Sequence, residues 1–174
     1  MTENSYFSKQ FIICLIISMS LILIMLFIGV NQGYNVTPEE ANATLSEIEK
    51  LRAEVTPLTI FLNNSEIALV AIIPLIGILW MLFVQFNTGF ALGSLAKALG
   101  WNQYLYASAI LTSPVGLFEY AVYILVMAES LVLVYSALQK NFKERLTKHT
   151  WKTILLTVGL LFIGAIIEYI DIQV

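Results

Sequence analysis

Long apolar runs separated by short polar stretches dominate the chain, and they predict membrane-spanning helices. The first run covers residues 11–30, and the pattern predicts further spans over 67–86, 90–111, 115–138 and 151–170. About 20 consecutive apolar residues are enough for an α-helix to cross the hydrocarbon core of a bilayer. The pattern therefore predicts an all-α fold, a single polytopic transmembrane helical bundle of about five membrane spans with one broken or re-entrant region.

Residues 31–65 form the one sizeable polar segment, and its pattern predicts an amphipathic helix over 38–55. Thr37 suits an N-cap, Pro38 suits the first helical position, and a second Thr-Pro pair ends the helix. We interpret this helix as lying outside the membrane core, where it packs over the bundle, rests on the lipid surface or docks a partner protein. Three glycosylation sequons, which need an extracytoplasmic loop, begin at Asn35, Asn42 and Asn63.

Composition supports a membrane protein. The chain is 59% hydrophobic and 12% charged, with a mean hydropathy of +0.83, whereas soluble domains are about half apolar and a quarter charged. Cys14 is the single cysteine and can form no intrachain disulfide. We interpret the first run as a retained signal anchor, because it has spanning length and no cleavage site follows it. The basic residues form one short loop, so nucleic acid is not an expected partner.

Charge placement predicts the topology. The densest positive cluster is the loop 139–150, which the positive-inside rule places in the cytoplasm. If the N-terminus with Lys9 is also cytoplasmic, the chain crosses five times, and the 31–65 loop and the C-terminus are extracytoplasmic. The alternative treats 90–111 as re-entrant, with four crossings and an outside N-terminus. We favour five crossings in a cell membrane.

Polar and small residues interrupt the apolar pattern between residues 87 and 123. Asn64 and Asn87 flank the second span, where amides cap helices or bond across them. Gly89-x-x-x-Gly93, followed by Ala96-x-x-x-Gly100, gives a small-residue stripe that allows backbones to approach closely. This stripe is compatible with packing inside one chain and with self-association. Pro74 and Gly77 predict a kink within the second span.

Glu119 is the strongest single candidate for a functional residue, because it follows Pro114 and Gly116 at the start of a span. One hypothesis is a buried carboxyl that relays protons or binds a cation. The other is a carboxyl that locks the Pro-Gly break by hydrogen bonds near a helix N-terminus. Glu129 is a second intramembrane acid, ten residues further on.

The sequence has few features that are typical of enzymes. His149 is the only histidine, and no cysteine or acid pair accompanies it in the sequence. The usual zinc ligand sets, a Ser-His pair within the spans and a phosphate-binding glycine loop are not found. We therefore predict a protein that is not an enzyme and has no cofactor.

Three motifs, in order, resemble the stage II sporulation protein M family of integral membrane proteins. The family pattern is a double Asn before a helix, an Asn-x-Gly turn after it, and a Pro-His-Gly-x-x-Glu motif that opens a later helix. The corresponding residues here are Asn63 and Asn64, then Asn87, Gly89 and Gly93, then Pro114, Gly116 and Glu119. The resemblance runs from about Leu58 to the C-terminus. Val115 stands where the family usually has His.

The resemblance implies a membrane scaffold or complex subunit, because family members in sporulating bacteria look like scaffolds that gather cell-wall-remodelling partners. We predict a non-enzymatic membrane protein that assembles in the lipid bilayer with other integral or membrane-associated proteins or with further copies of itself. One alternative is a transporter or channel component, in which Glu119, Glu129, Asn87 and Lys97 line one polar cavity. Another is an accessory subunit of a large membrane enzyme complex.

Overall fold

The structure is a computed structural model that describes residues 8–173, and every regular element within that range is helical. A five-residue π-helical turn, Leu146–Thr150, joins the last two helices. The helices are α1 (Lys9–Tyr34), α2 (Pro38–Glu54), α3 (Pro57–Ala71), α4 (Ile76–Ala98), α5 (Gln103–Thr112), α6 (Pro114–Leu138), α7 (Phe142–Arg145) and α8 (Trp151–Gln173). The prediction of an all-α helical bundle is confirmed.

Four helical segments are long and apolar enough to cross a membrane. They are Lys9–Tyr34, Ile76–Ala98, Pro114–Leu138 and the continuous helix Phe142–Ile172, which contains α7, the π-helical turn and most of α8. Helix α3 has 15 residues, fewer than the roughly 20 that span a bilayer. Helix α6 lies at the centre of the bundle, because most of its side chains are buried between the other helices.

The amphipathic helix forms where its capping residues predict it. The Thr37 side chain accepts a hydrogen bond from the Glu40 backbone N–H at 3.3 Å, and the Glu40 carboxylate accepts one from the Thr37 N–H at 2.8 Å. This capping box satisfies two N–H groups at the helix start. The Thr37 backbone N–H also holds the pKa of Glu40 below its usual value. Only Ala41 of α2 is buried, so the helix lies on the outside of the bundle.

Helices α1 and α4 make the closest contact in the bundle, with backbone against backbone. A Cβ atom added to Gly29, Gly33, Gly89 or Gly93 would overlap a carbonyl oxygen of the opposite helix. Gly89 meets the carbonyl of Leu26, and Gly93, four residues further on, meets the carbonyl four residues further along α1. The two helices therefore run parallel. The stripe at Gly89 and Gly93 packs inside one chain, whereas Gly100 has a φ of +70° and open space around it.

The remaining helices alternate in direction around this pair. Phe11, at the start of α1, packs with Val132 in the second half of α6, so α1 and α6 run antiparallel. The second half of α6 also contacts the start of α8. The end of α8 lies near α2, because Asp171 of α8 and Arg52 of α2 line the same cavity. The start of α1 and the basic loop therefore share one end of the bundle, and α2 shares the other end with the end of α8.

The predicted second span, 67–86, is two helices that run in opposite directions. Helix α3 ends at Ala71, and α4 begins at Ile76 after a γ-turn in which the Ile76 N–H donates to the Pro74 carbonyl at 2.8 Å. Leu75, at the centre of this turn, has a φ of 65°. Gly77 then fits against the Ala71 carbonyl, where a Cβ would overlap it. Pro74 and Gly77 thus reverse the chain instead of kinking one helix.

The predicted boundary at Asn87 is absent from the structure, because α4 continues from Ile76 to Ala98. The Asn87 amide donates to the Phe83 carbonyl four residues earlier, which keeps it within the helix. The chain breaks instead at Gly100, and Asn102 caps the ten-residue helix α5. The predicted third span, 90–111, is therefore the end of α4 joined to α5. At about 1.5 Å per residue, α5 is about 15 Å long and too short to cross a bilayer.

Gly89→Ala is expected to destabilise the protein, because the new Cβ would push α4 away from the α1 backbone. Overpacking of this kind costs about 1–3 kcal/mol. Gly159→Ala is the matched control, because Gly159 on α8 has open space around it and alanine favours the helix by about 1 kcal/mol. The melting temperature in detergent should fall for the first variant and hold or rise for the second. Equal melting temperatures would contradict the close contact between α1 and α4.

Candidate functional site

A first polar cluster joins α3 to α6 through a buried asparagine; we name it the Asn64 cluster, and it consists of Asn64, Glu119 and Tyr123. The Asn64 side-chain amide donates to a Glu119 carboxylate oxygen, and its own oxygen accepts from the Tyr123 hydroxyl at 3.2 Å. Asn63 donates to the same oxygen at 3.4 Å. These bonds satisfy both ends of the amide inside the bundle, where an unpaired polar group is costly.

The start of α6 delivers Glu119 to this cluster. Ser113 caps α6 by accepting from the Gly116 N–H at 3.0 Å, and Pro114 occupies the first turn. Gly116 lets α6 begin directly against the Ile110 carbonyl, where a Cβ would overlap it. The Ser113 cap therefore stabilises the break between α5 and α6, while Glu119 contacts α3. The hypothesis that Glu119 locks this break receives no contact in support.

Charged groups on α8 and α2 continue from the Asn64 cluster toward the outer end of the bundle. Glu168 of α8 lies close enough to Glu119 to interact electrostatically. Arg52 of α2 and Asp171 of α8 both interact with Glu168 in the same way. Arg52 thereby places a positive charge near this group of acids.

A second polar cluster lies in the second half of α6; we name it the Glu129 cluster, and it consists of Glu129, Arg145, Thr150 and Thr153. Glu129 is fully buried, and Arg145 donates to both of its oxygens, through Nε at 3.0 Å and through Nη2. Thr150 and Thr153 donate to the same carboxylate at 2.7 Å and 3.3 Å. The carboxylate therefore has a bidentate charged partner and two hydroxyl donors.

The π-helical turn explains why both Arg145 and Thr150 reach Glu129. Its wider winding, with hydrogen bonds between residues i and i+5, brings Arg145 and Thr150 to the same side of the helix. The Phe11 ring lies 5.2 Å from the Arg145 guanidinium carbon and covers it. Because removal from water costs several kcal/mol for each ion, a buried pair needs such complete hydrogen bonding. The cluster thus ties α1, α6 and the basic loop together.

A polar cavity of about 380 Å³ adjoins the Glu129 cluster at the end of the bundle that carries the basic loop. Arg145 and His149 line it together with side chains from the start of α1 and the end of α6. Glu129 lies behind Arg145 and is not part of the lining. Within residues 8–173, no group of three or more His, Cys, Asp or Glu side chains could hold a metal ion.

The four residues predicted to line one cavity are dispersed in the structure. Glu119 and Glu129 belong to the two separate clusters. Lys97 donates to the Val36 carbonyl and so attaches the α1–α2 connection to the end of α4. Within residues 8–173, the exposed Asn87 side chain bonds only to its own helix, at 2.7 Å from the Phe83 carbonyl. Each therefore has a different neighbour, and no common polar site forms among the described residues.

Several residues in these contacts were missed from the sequence. Gly29-x-x-x-Gly33 on α1 is as readable as the stripe on α4, and the pairing of two such stripes was the available signal. The sequence predicts Arg145 only as one of several exposed charges in the basic loop. No feature of that loop indicates that the Arg145 side chain is buried. Gln85 is fully buried on α4 and donates to the Met81 sulfur at 3.4 Å. It lies within an apolar run of the sequence, and that run gives no sign of a buried polar contact.

Comparison with known proteins identifies the family. A family model described as Stage II sporulation protein M matches residues 10–169. The chain belongs to the stage II sporulation protein M family. No curated protein and no solved structure matches the chain significantly. In this family member the motif residues Asn64 and Glu119 are hydrogen-bonded to each other, while Val115 lies half-buried in the first turn of α6.

Arg145→Met is expected to destabilise the protein by about 3–5 kcal/mol, because it leaves the Glu129 carboxylate buried without its charged partner. The double variant Glu129→Gln with Arg145→Met should recover much of this loss, since no charge remains buried. Lys148→Met is the control, because it removes only the exposed pair with Glu144 and should change the melting temperature far less. Equal losses in the single and double variants would contradict the pairing.

Glu119→Gln is expected to leave stability nearly unchanged, because the glutamine oxygen can still accept from Asn64. Glu119→Leu removes that acceptor and leaves the Asn64 amide unpaired, which costs about 1–3 kcal/mol. Thermal unfolding of both variants in the same detergent measures the difference. If glutamine proves as damaging as leucine, the charge of Glu119 is essential, and a purely structural role is contradicted.

Proposed function

We propose that this member of the stage II sporulation protein M family is a non-catalytic membrane scaffold or complex subunit that assembles with other membrane proteins. The observation that supports it best is the pairing of its intramembrane polar groups. Glu119 is bonded to Asn64, and Glu129 is bonded to Arg145, Thr150 and Thr153. Groups arranged in this way hold helices together, whereas a transport path needs polar groups that face a shared cavity.

The parallel contact between α1 and α4 is a second support. Backbones that touch at four glycines leave little room for one helix to slide or rock against the other. Transporters commonly work by movement of one helix bundle against another around a fixed site. A stiff bundle instead suits a protein that holds other proteins in place.

Helix α2 is the part of the chain best placed to receive a partner. Ala41 and three half-buried residues hold its 17 residues against the bundle, and the bond from Lys97 to Val36 holds the turn before it, whereas its other residues are exposed. The exposed surface is mainly acidic, with Glu39, Glu47, Glu49 and Glu54 on it. A helix held firmly at one end of a bundle and free along its side favours a partner with basic side chains.

Membrane sidedness completes the proposal. The basic loop and Lys9 share one end of the bundle, and we assign that end to the cytoplasm by the positive-inside rule. Aromatic side chains at both ends fit the two membrane interfaces: Trp101 and Tyr104 are exposed near the start of α5, and Trp151 is exposed at the start of α8. The α2 end is then extracytoplasmic.

Cysteine labelling tests both parts of the proposal in native membranes. In a variant that lacks Cys14, a cysteine at Glu47 on α2 should react with an impermeant maleimide from outside the cell, and one at Lys143 should not. A photo-crosslinker carried by the first cysteine should capture other membrane proteins. A crosslinker at Ile16, on the exposed face of α1, is the control and should capture mainly lipid.

Two results would count against the proposal. Labelling of Lys143→Cys from outside would reverse the sidedness. Capture of no protein from Glu47→Cys, together with migration of the gently solubilised chain without any other subunit, would contradict a scaffold.

A further inference from the structure

Asn87 occupies the middle of a membrane-grade helix and faces outward. It is the twelfth of the 23 residues of α4, and its side chain is exposed, as are those of Phe83 and Leu79 on the same face. Phe83 is 60% exposed and Leu79 is 70% exposed. An apolar face of this kind meets lipid, but lipid tails offer no hydrogen bond to the amide at its centre.

Most of the hydrogen-bonding capacity of the Asn87 side chain is unused among the described residues. Its Nδ2 donates to the Phe83 carbonyl at 2.7 Å. A primary amide has two N–H donors and an oxygen that can accept two bonds. Its Oδ1 therefore has no partner among residues 8–173, and one N–H is also available. A side chain with one donor and one acceptor free is complementary to a second copy of itself.

The small-residue stripe on the same helix points the other way. Gly89 is buried against Leu26 of α1, and two residues along an α-helix correspond to a rotation of about 200°. The surface available for association is therefore the Asn87 face, and the glycine stripe is already used inside the chain. Polar side chains that hydrogen-bond across helices are a general means of association within membranes.

We infer that two copies of this protein associate through the exposed face of α4, with the two Asn87 side chains exchanging hydrogen bonds across a two-fold axis. Phe83 and Leu79 pack beside the amide pair, one and two turns away respectively. A residue that lies at the two-fold axis meets its own copy, so each Asn87 there supplies one donor and one acceptor. The inference rests on the proposed scaffold function and deepens it, because it names a second copy of the chain as one partner.

Ser20 provides a contrast within the same bundle. It is also polar and exposed within a spanning helix, but its hydroxyl donates to the Ile16 carbonyl at 2.9 Å. Its only hydrogen is thereby used, and a back-bonded serine is inexpensive in a membrane helix. Exposure of a polar group is therefore not enough to predict association; the unused donor and acceptor of Asn87 distinguish the two positions.

The test is self-association of the full-length chain in liposomes. Donor- and acceptor-labelled protein is mixed at decreasing protein-to-lipid ratios, and energy transfer reports the dissociation constant. Wild-type protein should associate, and Asn87→Leu should weaken association about tenfold, which corresponds to about 1.4 kcal/mol, within the range for an interhelical hydrogen-bond pair. Asn87→Gln, which keeps the amide, should retain association, and Ser20→Ala should match the wild type.

A second measurement locates the contact. In a chain without Cys14, Phe83→Cys should form a crosslinked dimer, while a cysteine at Leu156 on the exposed side of α8 should not. The melting temperature of monomeric Asn87→Leu should stay close to the wild type, because the amide contacts only its own helix.

Three outcomes would overturn the inference. They are a wild-type chain that stays monomeric at every dilution, an Asn87→Leu variant that associates as strongly as the wild type, and crosslinks from Phe83→Cys in native membranes to a different protein only. Each of these leaves the capture of partners by α2 as a separate result, so failure of self-association and failure of the scaffold proposal are distinguishable.

Discussion

The parallel contact between α1 and α4 is the constraint on which the rest of the bundle depends. Its four glycines bring two backbones together with no side chain between them, and such an approach replaces the hydrophobic driving force that is missing between helices in lipid. Two parallel helices in one chain require a return path between them. Helices α2 and α3 supply it, and the γ-turn at Leu75 lets the chain reverse into α4 within a few residues.

The two intramembrane acids of α6 are likewise held by specific contacts, because each is hydrogen-bonded to a neighbouring element. The Asn64 cluster connects α3 to α6, and the Glu129 cluster connects α6 to the basic loop and to Phe11 of α1. The two clusters lie toward opposite ends of α6, so that the central helix is fixed to its neighbours at two levels. Ser130, the residue after Glu129, donates to the Ile73 carbonyl at 3.0 Å. This bond supports the chain reversal before α4. Burial of these groups is tolerable because each has a partner.

Function then depends on what the bundle leaves open. Helix α2 is firmly anchored and largely exposed, whereas the deep acids are occupied by internal partners. The outward-facing side chains are of two kinds. Apolar ones such as Leu79 pack well against lipid, whereas the Asn87 amide finds no hydrogen-bond partner there. This division supports assembly with other chains, because Asn87 presents an unused donor and acceptor on the outside of the bundle.

Hydropathy, capping residues and motif order are local properties, so the class of fold, the helix start at Thr37 and the family were predictable from the sequence. It did not determine that Pro74 reverses the chain or that Asn87 lies within a continuous helix. A proline shows that a helix is interrupted, but its neighbours decide the direction in which the chain leaves, and here Gly77 against Ala71 permits a reversal. Likewise, only the packed helices separate Glu119 from Glu129 and turn Arg145 inward. Pairing between distant residues is a property of the assembled bundle, and no local pattern contains it.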